Sequence, residues 1–172
     1  MNGKTFPGSG RKMRLFLPAL AATLALLAAS ASAAPEKKPK RLPGRILRVF
    51  EGDTFQLEGG LRSTLLGVST PPFTERGGKE SFEFLRRLLT GKQVFLEVDA
   101  ELLDASRQAQ YYVFLEDGVF VNALILLRGF GRALVKHPNV RYRGRLLRAE
   151  ATARKNRIGI WGDAFPDPQN PH

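Results

Sequence analysis

Cysteine is absent from the 172 residues, so no disulfide can brace this chain and its core must hold the fold. Histidine occurs only as His137 and His172, one in a loop-like stretch and one at the last position. Two such separated residues make unconvincing ligands or bases, and nothing in the composition suggests haem, iron–sulfur or zinc. Acidic residues are scarce, 16 against 27 lysines and arginines, for a formal net charge of +11. That excess draws a protein toward nucleic acid, anionic lipid or acidic envelope polymers, and charge alone does not choose among them. Long apolar runs are also lacking. The longest, from Leu15 to Ala29, falls short of the ~20 residues that a spanning helix needs. No internal repeat is visible.

What precedes and follows that run gives it a meaning. Lys4, Arg11, Lys12 and Arg14 stand before it, and Ala31-Ser32-Ala33 closes it. A basic start, a short apolar centre and small residues before a cut read as a secretory signal over residues 1–33. A membrane anchor is the competing reading, and Met13 is an alternative start. Cleavage after Ala33 leaves no stable membrane span and lowers the charge from +11 to +7, because four basic and no acidic residues depart. The expected destination is the periplasm or the outside of the cell. Residues 34–43, including PEKKPKRLP, read as a basic, flexible linker. Residues 163–172 read as a proline-rich, disordered tail. One domain is expected between them, over 44–162.

Within that domain, Arg45–Phe50, Thr54–Glu58 and Leu61–Val68 read as three strands of a meander, turned at Glu51-Gly52-Asp53 and Gly59-Gly60. Lys79–Leu89 carries Phe82, Leu85, Leu88 and Leu89 at helical spacing, and Gly91 ends it. Gln93–Val98 and Tyr111–Leu115 are further strands. Phe120–Leu127 is an apolar helix, and Val140–Asn156 a basic one with Leu146, Leu147 and Ala151 expected inward. Five strands, with a helix after the third and two after the fifth, suit a mainly β, α+β fold: a five-stranded Greek-key barrel of the OB type with three helices.

Two stretches carry chemistry: Glu51-Gly52-Asp53-Thr54, and Thr64-Leu65-Leu66-Gly67-Val68-Ser69-Thr70-Pro71-Pro72. They resemble the staphylococcal-nuclease (thermonuclease) family, whose members carry Asp/Glu-Gly-Asp-Thr and then a strand ending Arg-Leu-x-Gly-x-Asp-Thr-Pro-Glu. Glu116 to Asn122, Gly129 to Leu134 and Ala149 to Trp161 extend the resemblance over about Gly44 to Gly162. It implies the same barrel, and phosphodiester cleavage by a bound calcium ion, a water-orienting carboxylate and two arginines on the phosphate.

Position by position, the resemblance then departs. Asp53 matches the first metal carboxylate, and Thr70 the residue whose backbone carbonyl completes the site. Ser69 stands in place of the second metal carboxylate, Pro72 of the glutamate that acts on water, and Thr64 of the first arginine. Counted back from Tyr112-Val113-Phe114, Gln108 stands at the second arginine. Three neighbours are candidate substitutes. Arg62 lies on the same strand face as Thr64, about 7 Å along it; Arg107 adjoins Gln108; Glu75 follows Pro72 in a loop. With one carboxylate left, calcium binding should be weak. Asp53 has a competing role as the cap of the Gly52 turn.

The reading is an exported nuclease-fold domain that has lost most catalytic side chains and binds nucleic acid or another polyanion. The alternatives are an active calcium-dependent DNA or RNA endonuclease with a rearranged site, and an envelope protein-interaction scaffold. Arg141, Arg145, Arg148 and Lys155 are the nucleic-acid-binding candidates, against the default of a solvated helix face. Tyr111, Tyr112 and Tyr142 are candidates for stacking on bases, and Trp161 is expected to pack the last helix on the barrel. Nothing in the sequence sets an oligomeric state.

Overall fold

The computed structural model describes residues 39–163 and 165. The expected signal peptide, the first residues of the linker and nearly all of the expected tail lie outside them. Along the chain come β1 (Leu42–Val49), β2 (Thr54–Leu57), β3 (Arg62–Leu65), β4 (Val68–Ser69), α1 (Gly78–Leu89), β5 (Gln93–Glu97) and β6 (Ala109–Leu115). Then follow α2 (Val121–Leu127), β7 (Arg132–Ala133), α3 (Arg143–Lys155) and a single tight turn of helix at Gly159–Trp161. β1, β2, β3, β6 and β5 close into a barrel in that order, which is the five-stranded barrel expected from the sequence. The β3–β6 pair is parallel and the other ladders are antiparallel. β4 and β7 form a small separate ladder.

The barrel fills with the residues that alternate inward. Ile46, Phe55, Leu65, Tyr112 and Phe114 are sealed from solvent, and Leu85 and Leu89 of α1 and Leu146 of α3 plug them. At the usual transfer value, each such side chain contributes roughly 1.5–3 kcal/mol. Asn122 ties this core to the rim. Its Oδ1 accepts from the Val113 amide at 2.8 Å, and its Nδ2 donates to the carbonyls of Leu66 at 2.9 Å and Tyr111 at 3.1 Å.

Several boundaries differ from the periodicity. β1 begins at Leu42, inside the expected linker, and Leu42 and Pro43 pair with Leu96 and Phe95. Arg41 is also held, its Nε donating to the buried Glu97 carboxylate at 2.7 Å. A bulge between Ile46 and Arg48 breaks strict alternation, so Ile46 and Val49 both face inward. The third run of the meander splits into β3 and β4 at Gly67, whose φ of 77° favours glycine. α3 starts at Arg143 and buries Leu146, Glu150 and Ala153, leaving Leu147 and Ala151 outside.

Candidate functional site

The rim of interest lies where β2 begins and β3 and β4 end. Asp53 enters it from the turn before β2. Its Oδ2 accepts the Thr70 amide at 2.9 Å and its Oδ1 accepts the Thr54 hydroxyl at 3.0 Å. The carboxylate therefore fastens the start of β2 to the segment after β4 rather than capping the Gly52 turn, whose amides at Phe50, Glu51 and Thr54 bond to backbone carbonyls. Gly52 permits this approach. A Cβ there would lie 2.5 Å from Ser81 Cβ and 2.7 Å from Thr70 Oγ1. Thr54 pairs with Thr64 across the β2–β3 ladder, and Thr64 pairs with Gln110 across β3–β6.

Two hollows open at this rim. The first, about 430 Å³, is lined by Asp53, Thr64 and Ser69, faced by Glu101, Asp104, Gln110, Lys136 and His137 among others. The second, about 410 Å³, is lined by Ser69, Thr70, Pro71, Pro72, Glu75, Arg76, Arg132 and Ile160. Ser69 borders both. The structure thus brings Asp53, Thr64 and Ser69 together, and groups Thr70, Pro72 and Glu75 around the other hollow.

Gln108, Arg62 and Arg107 line neither hollow. Arg62 does share the outward face of β3 with Thr64, but its guanidinium lies 4.7 Å from the Phe50 ring and 3.8 Å from Glu51 Oε1. Arg107 is exposed, with φ 61°, in a turn that Asp104 organises by accepting the Ser106 and Gln108 amides. The Gln108 side-chain nitrogen is buried and has no hydrogen-bond partner among the described residues.

The donor set does not fit a strong calcium site. Calcium takes ~6–8 oxygens, with carboxylates supplying the charge. Here one carboxylate, already hydrogen-bonded through both oxygens, adjoins the neutral Ser69 and the Thr70 backbone. Among the described residues, no three His, Cys, Asp or Glu side chains are placed to share a metal ion.

The basic candidates of the last helix divide. Arg141 precedes α3, and its guanidinium reaches Val98 O at 2.8 Å, Asp99 at 3.5 Å and Glu97 at 3.9 Å. Arg145 lies 4.8 Å over the Phe120 ring, with its charge at the surface. Arg148 and Lys155 are exposed, and neither makes an ion pair among the described residues. Positions 145, 148 and 155 fall on one side of a helix.

The tyrosines are not free for stacking. Tyr111 and Tyr112 are buried, and Tyr112 donates to Asp99 at 3.0 Å. Tyr142 is half-buried and donates to Glu97 at 2.8 Å. Burial pushes all three phenols up from their usual 10.0, the hydrogen bonds to Asp99 and Glu97 adding to it for Tyr112 and Tyr142. Trp161 is half-buried and is clasped by cations, Arg154 of α3 lying 4.1 Å and Arg132 of β7 4.4 Å from its ring.

Sequence reading misses Gln110, Asp104, Arg76 and Arg132. Gln110 enters the first hollow only through the parallel β3–β6 pairing, which no local pattern announces. Asp104 carries the one recoverable signal, an Asx turn of the form Asp-Ala-Ser.

Comparison with known proteins supplies the last observation. Residues 62–163 match the model of a family described as staphylococcal nuclease homologue. The thermonuclease of Staphylococcus hyicus is 31% identical over 128 residues, covering 69% of this chain and 75% of its own. That of Staphylococcus intermedius is 32% identical over 125 residues, covering 67% and 74%. An uncharacterized protein of Bacillus anthracis is 31% identical over 141 residues, covering 75% and 65%. β1, β2 and Asp53 precede the span matched by the family model.

Proposed function

This chain belongs to the staphylococcal nuclease family, and from that premise we propose that it is an exported polyanion-binding domain with little or no nuclease activity. The observation that carries the reading is the dispersal of the possible substitutes. Arg62 is drawn to Phe50 and Glu51, Arg107 stands outside both hollows, and Glu75 lines the hollow that Asp53 does not. Phosphodiester cleavage of the kind the resemblance implies needs a metal, a directed water and phosphate-binding cations held together within a few tenths of an ångström. Losing one such group commonly costs ~10²–10⁴ in rate, and Thr64, Ser69 and Pro72 offer neither a charge nor a base. Asp53 remains as a weak calcium ligand at most.

Binding is supported by the net charge, +11 for the whole chain and +7 without the four basic residues of 1–33, and by the side of α3 that carries Arg145, Arg148 and Lys155. Nucleic acid is the favoured polyanion because the family's thermonucleases are named for acting on it. Export follows from the basic start, apolar run and Ala31-Ser32-Ala33 of the first 33 residues.

Fluorescence anisotropy with labelled DNA and RNA, repeated across a salt series, tests the reading. Affinity should fall steeply with salt, and the triple variant Arg145→Ala/Arg148→Ala/Lys155→Ala should shallow the slope by up to ~2–3, at roughly 0.7–0.9 per phosphate contact. A salt-insensitive partner of protein nature would favour the scaffold instead. Calcium-dependent cleavage that disappears in Asp53→Ala would return the protein to the endonucleases.

A further inference from the structure

We infer that the second hollow is a phosphate-monoester site built on Arg76 and Arg132. The inference rests on this hollow's own geometry, independently of polyanion binding by α3. β4 and β7 set its frame: Ser69 and Arg132 are cross-strand partners, so the hydroxyl and the guanidinium stem leave the same face of the ladder. Arg76 comes from the loop before α1, and Pro71, Pro72 and Ile160 supply apolar wall.

Both arginines are held in place without being neutralised. Arg76 donates through Nε to the Phe165 carbonyl at 3.0 Å and through Nη2 to the Gly162 carbonyl. Carbonyls orient a guanidinium but leave its net charge intact. Arg132 lies over Trp161, its guanidinium carbon 4.4 Å from the ring centroid. Neither makes an ion pair among the described residues, whereas Arg154, on the same indole, reaches Glu150 at 3.1 Å. A surface arginine kept for solubility is normally mobile. A fork held by two carbonyls, at Arg76, and one resting on an indole, at Arg132, both with donors to spare, have already met part of the ordering cost of clasping an oxyanion.

The charge balance points to a monoester. A phosphate monoester carries about −1.5 to −2 near neutral pH, against about −1 for a diester or a carboxylate, and so answers two guanidiniums better. Glu75 is the lone carboxylate on the wall and subtracts from the attraction. The volume of about 410 Å³ exceeds a bare phosphate and leaves room for a sugar or base beside it. The same chemistry is offered by a free mononucleotide and by the phosphorylated end of a strand.

Trp161 makes the test direct, because it is the only tryptophan in the chain and touches Arg132. Its fluorescence is followed while inorganic phosphate, 5′-AMP, adenosine, and 5′-phosphorylated or 5′-hydroxyl oligothymidylate are added at constant ionic strength. Calorimetry repeats each titration, since substitution of Arg132 also alters the reporter. Phosphate and 5′-AMP should saturate, and adenosine should not. A clear preference for the phosphorylated oligonucleotide over 5′-AMP assigns the site to strand ends, and the reverse assigns it to mononucleotides. Arg132→Gln and Arg76→Gln should each weaken binding by at least about tenfold, the effect of losing a charged hydrogen bond. Glu75→Gln should tighten it by about threefold, and as an exposed loop change it leaves the fold in place. Arg148→Gln on α3 should change nothing here while weakening salt-dependent binding to DNA. No saturation by about 10 mM phosphate, an equal response to adenosine, or unaltered binding in both Arg132→Gln and Glu75→Gln would overturn the site.

Discussion

Gly52 governs the rim through what it lacks. Its Cα sits so close to Ser81 and Thr70 that the smallest side chain would collide with both. Asp53 can then reach the Thr70 amide and the Thr54 hydroxyl together, and that pair of bonds joins β2 to the end of β4. Gly52→Ala should therefore cost about 1–3 kcal/mol by overpacking. Urea unfolding would record it as a lower midpoint with an unchanged slope. A variant as stable as the parent would mean that Ser81 and Thr70 move aside, and that Asp53 is held less firmly than its two bonds indicate. At this scale the motif is readable in the chain, because Glu51-Gly52-Asp53-Thr54 is contiguous and its glycine and carboxylate have local reasons to be there. The surroundings are not. Arg62 obeys strand alternation and shares a face with Thr64, yet the Phe50 ring and Glu51 claim its guanidinium.

Among the elements, α2 is locked to the barrel by one buried amide. Asn122 satisfies the Val113 N–H and the carbonyls of Leu66 and Tyr111, so it links α2 to β6 and to the turn where β3 gives way to β4. Asn122→Ala should destabilise the domain by about 3 kcal/mol, since each buried backbone group left unpaired costs ~1–3 kcal/mol. Hydrogen exchange should accelerate at the Val113 amide relative to the rest of β6. Uniform acceleration at both ends of the strand would refute the local role. The elements also show where patterns along the chain stop informing. Hairpin β2–β3 is legible because the Gly59-Gly60 turn is local. β1 defeats strict alternation because the bulge at Leu47 is imposed by pairing with both β2 and β5. In α3, Leu147 and Ala151 look like core by composition, yet the buried stripe runs through Leu146, Glu150 and Ala153. Glu150 tolerates this because Arg154, one turn on, reaches its carboxylate at 3.1 Å. The parallel β3–β6 pairing brings Thr64 beside Gln110, a long-range choice of register invisible to any window of sequence.

For the molecule as a whole, the tyrosines decide how the fold responds to alkaline pH. All three tyrosines of the chain have phenols raised above 10.0: Tyr111 by burial, Tyr112 by burial and then Asp99, Tyr142 by burial and then Glu97. Tyr112 and Tyr142 also meet edge to face, 4.7 Å between ring centroids, so they join one buried cluster with Phe114 and Phe120. A group whose folded pKa lies above its unfolded value contributes stability fully below the unfolded pKa and loses it as pH rises through the folded one. Stability should thus hold up to about pH 10, the ordinary phenol value, and decline above it, since the unfolded chain releases phenolic protons that the folded chain keeps. Tyrosinate absorbance should lag behind that of the urea-unfolded protein, then rise for all three phenols in one cooperative step. Trp161 fluorescence should change at the same pH, because ionisation of Tyr112 beside Asp99 is incompatible with the packed barrel. Three independent titrations near pH 10, with Trp161 undisturbed, would show instead that the phenols reach solvent in the native state, and would unseat the buried cluster on which α3 is anchored.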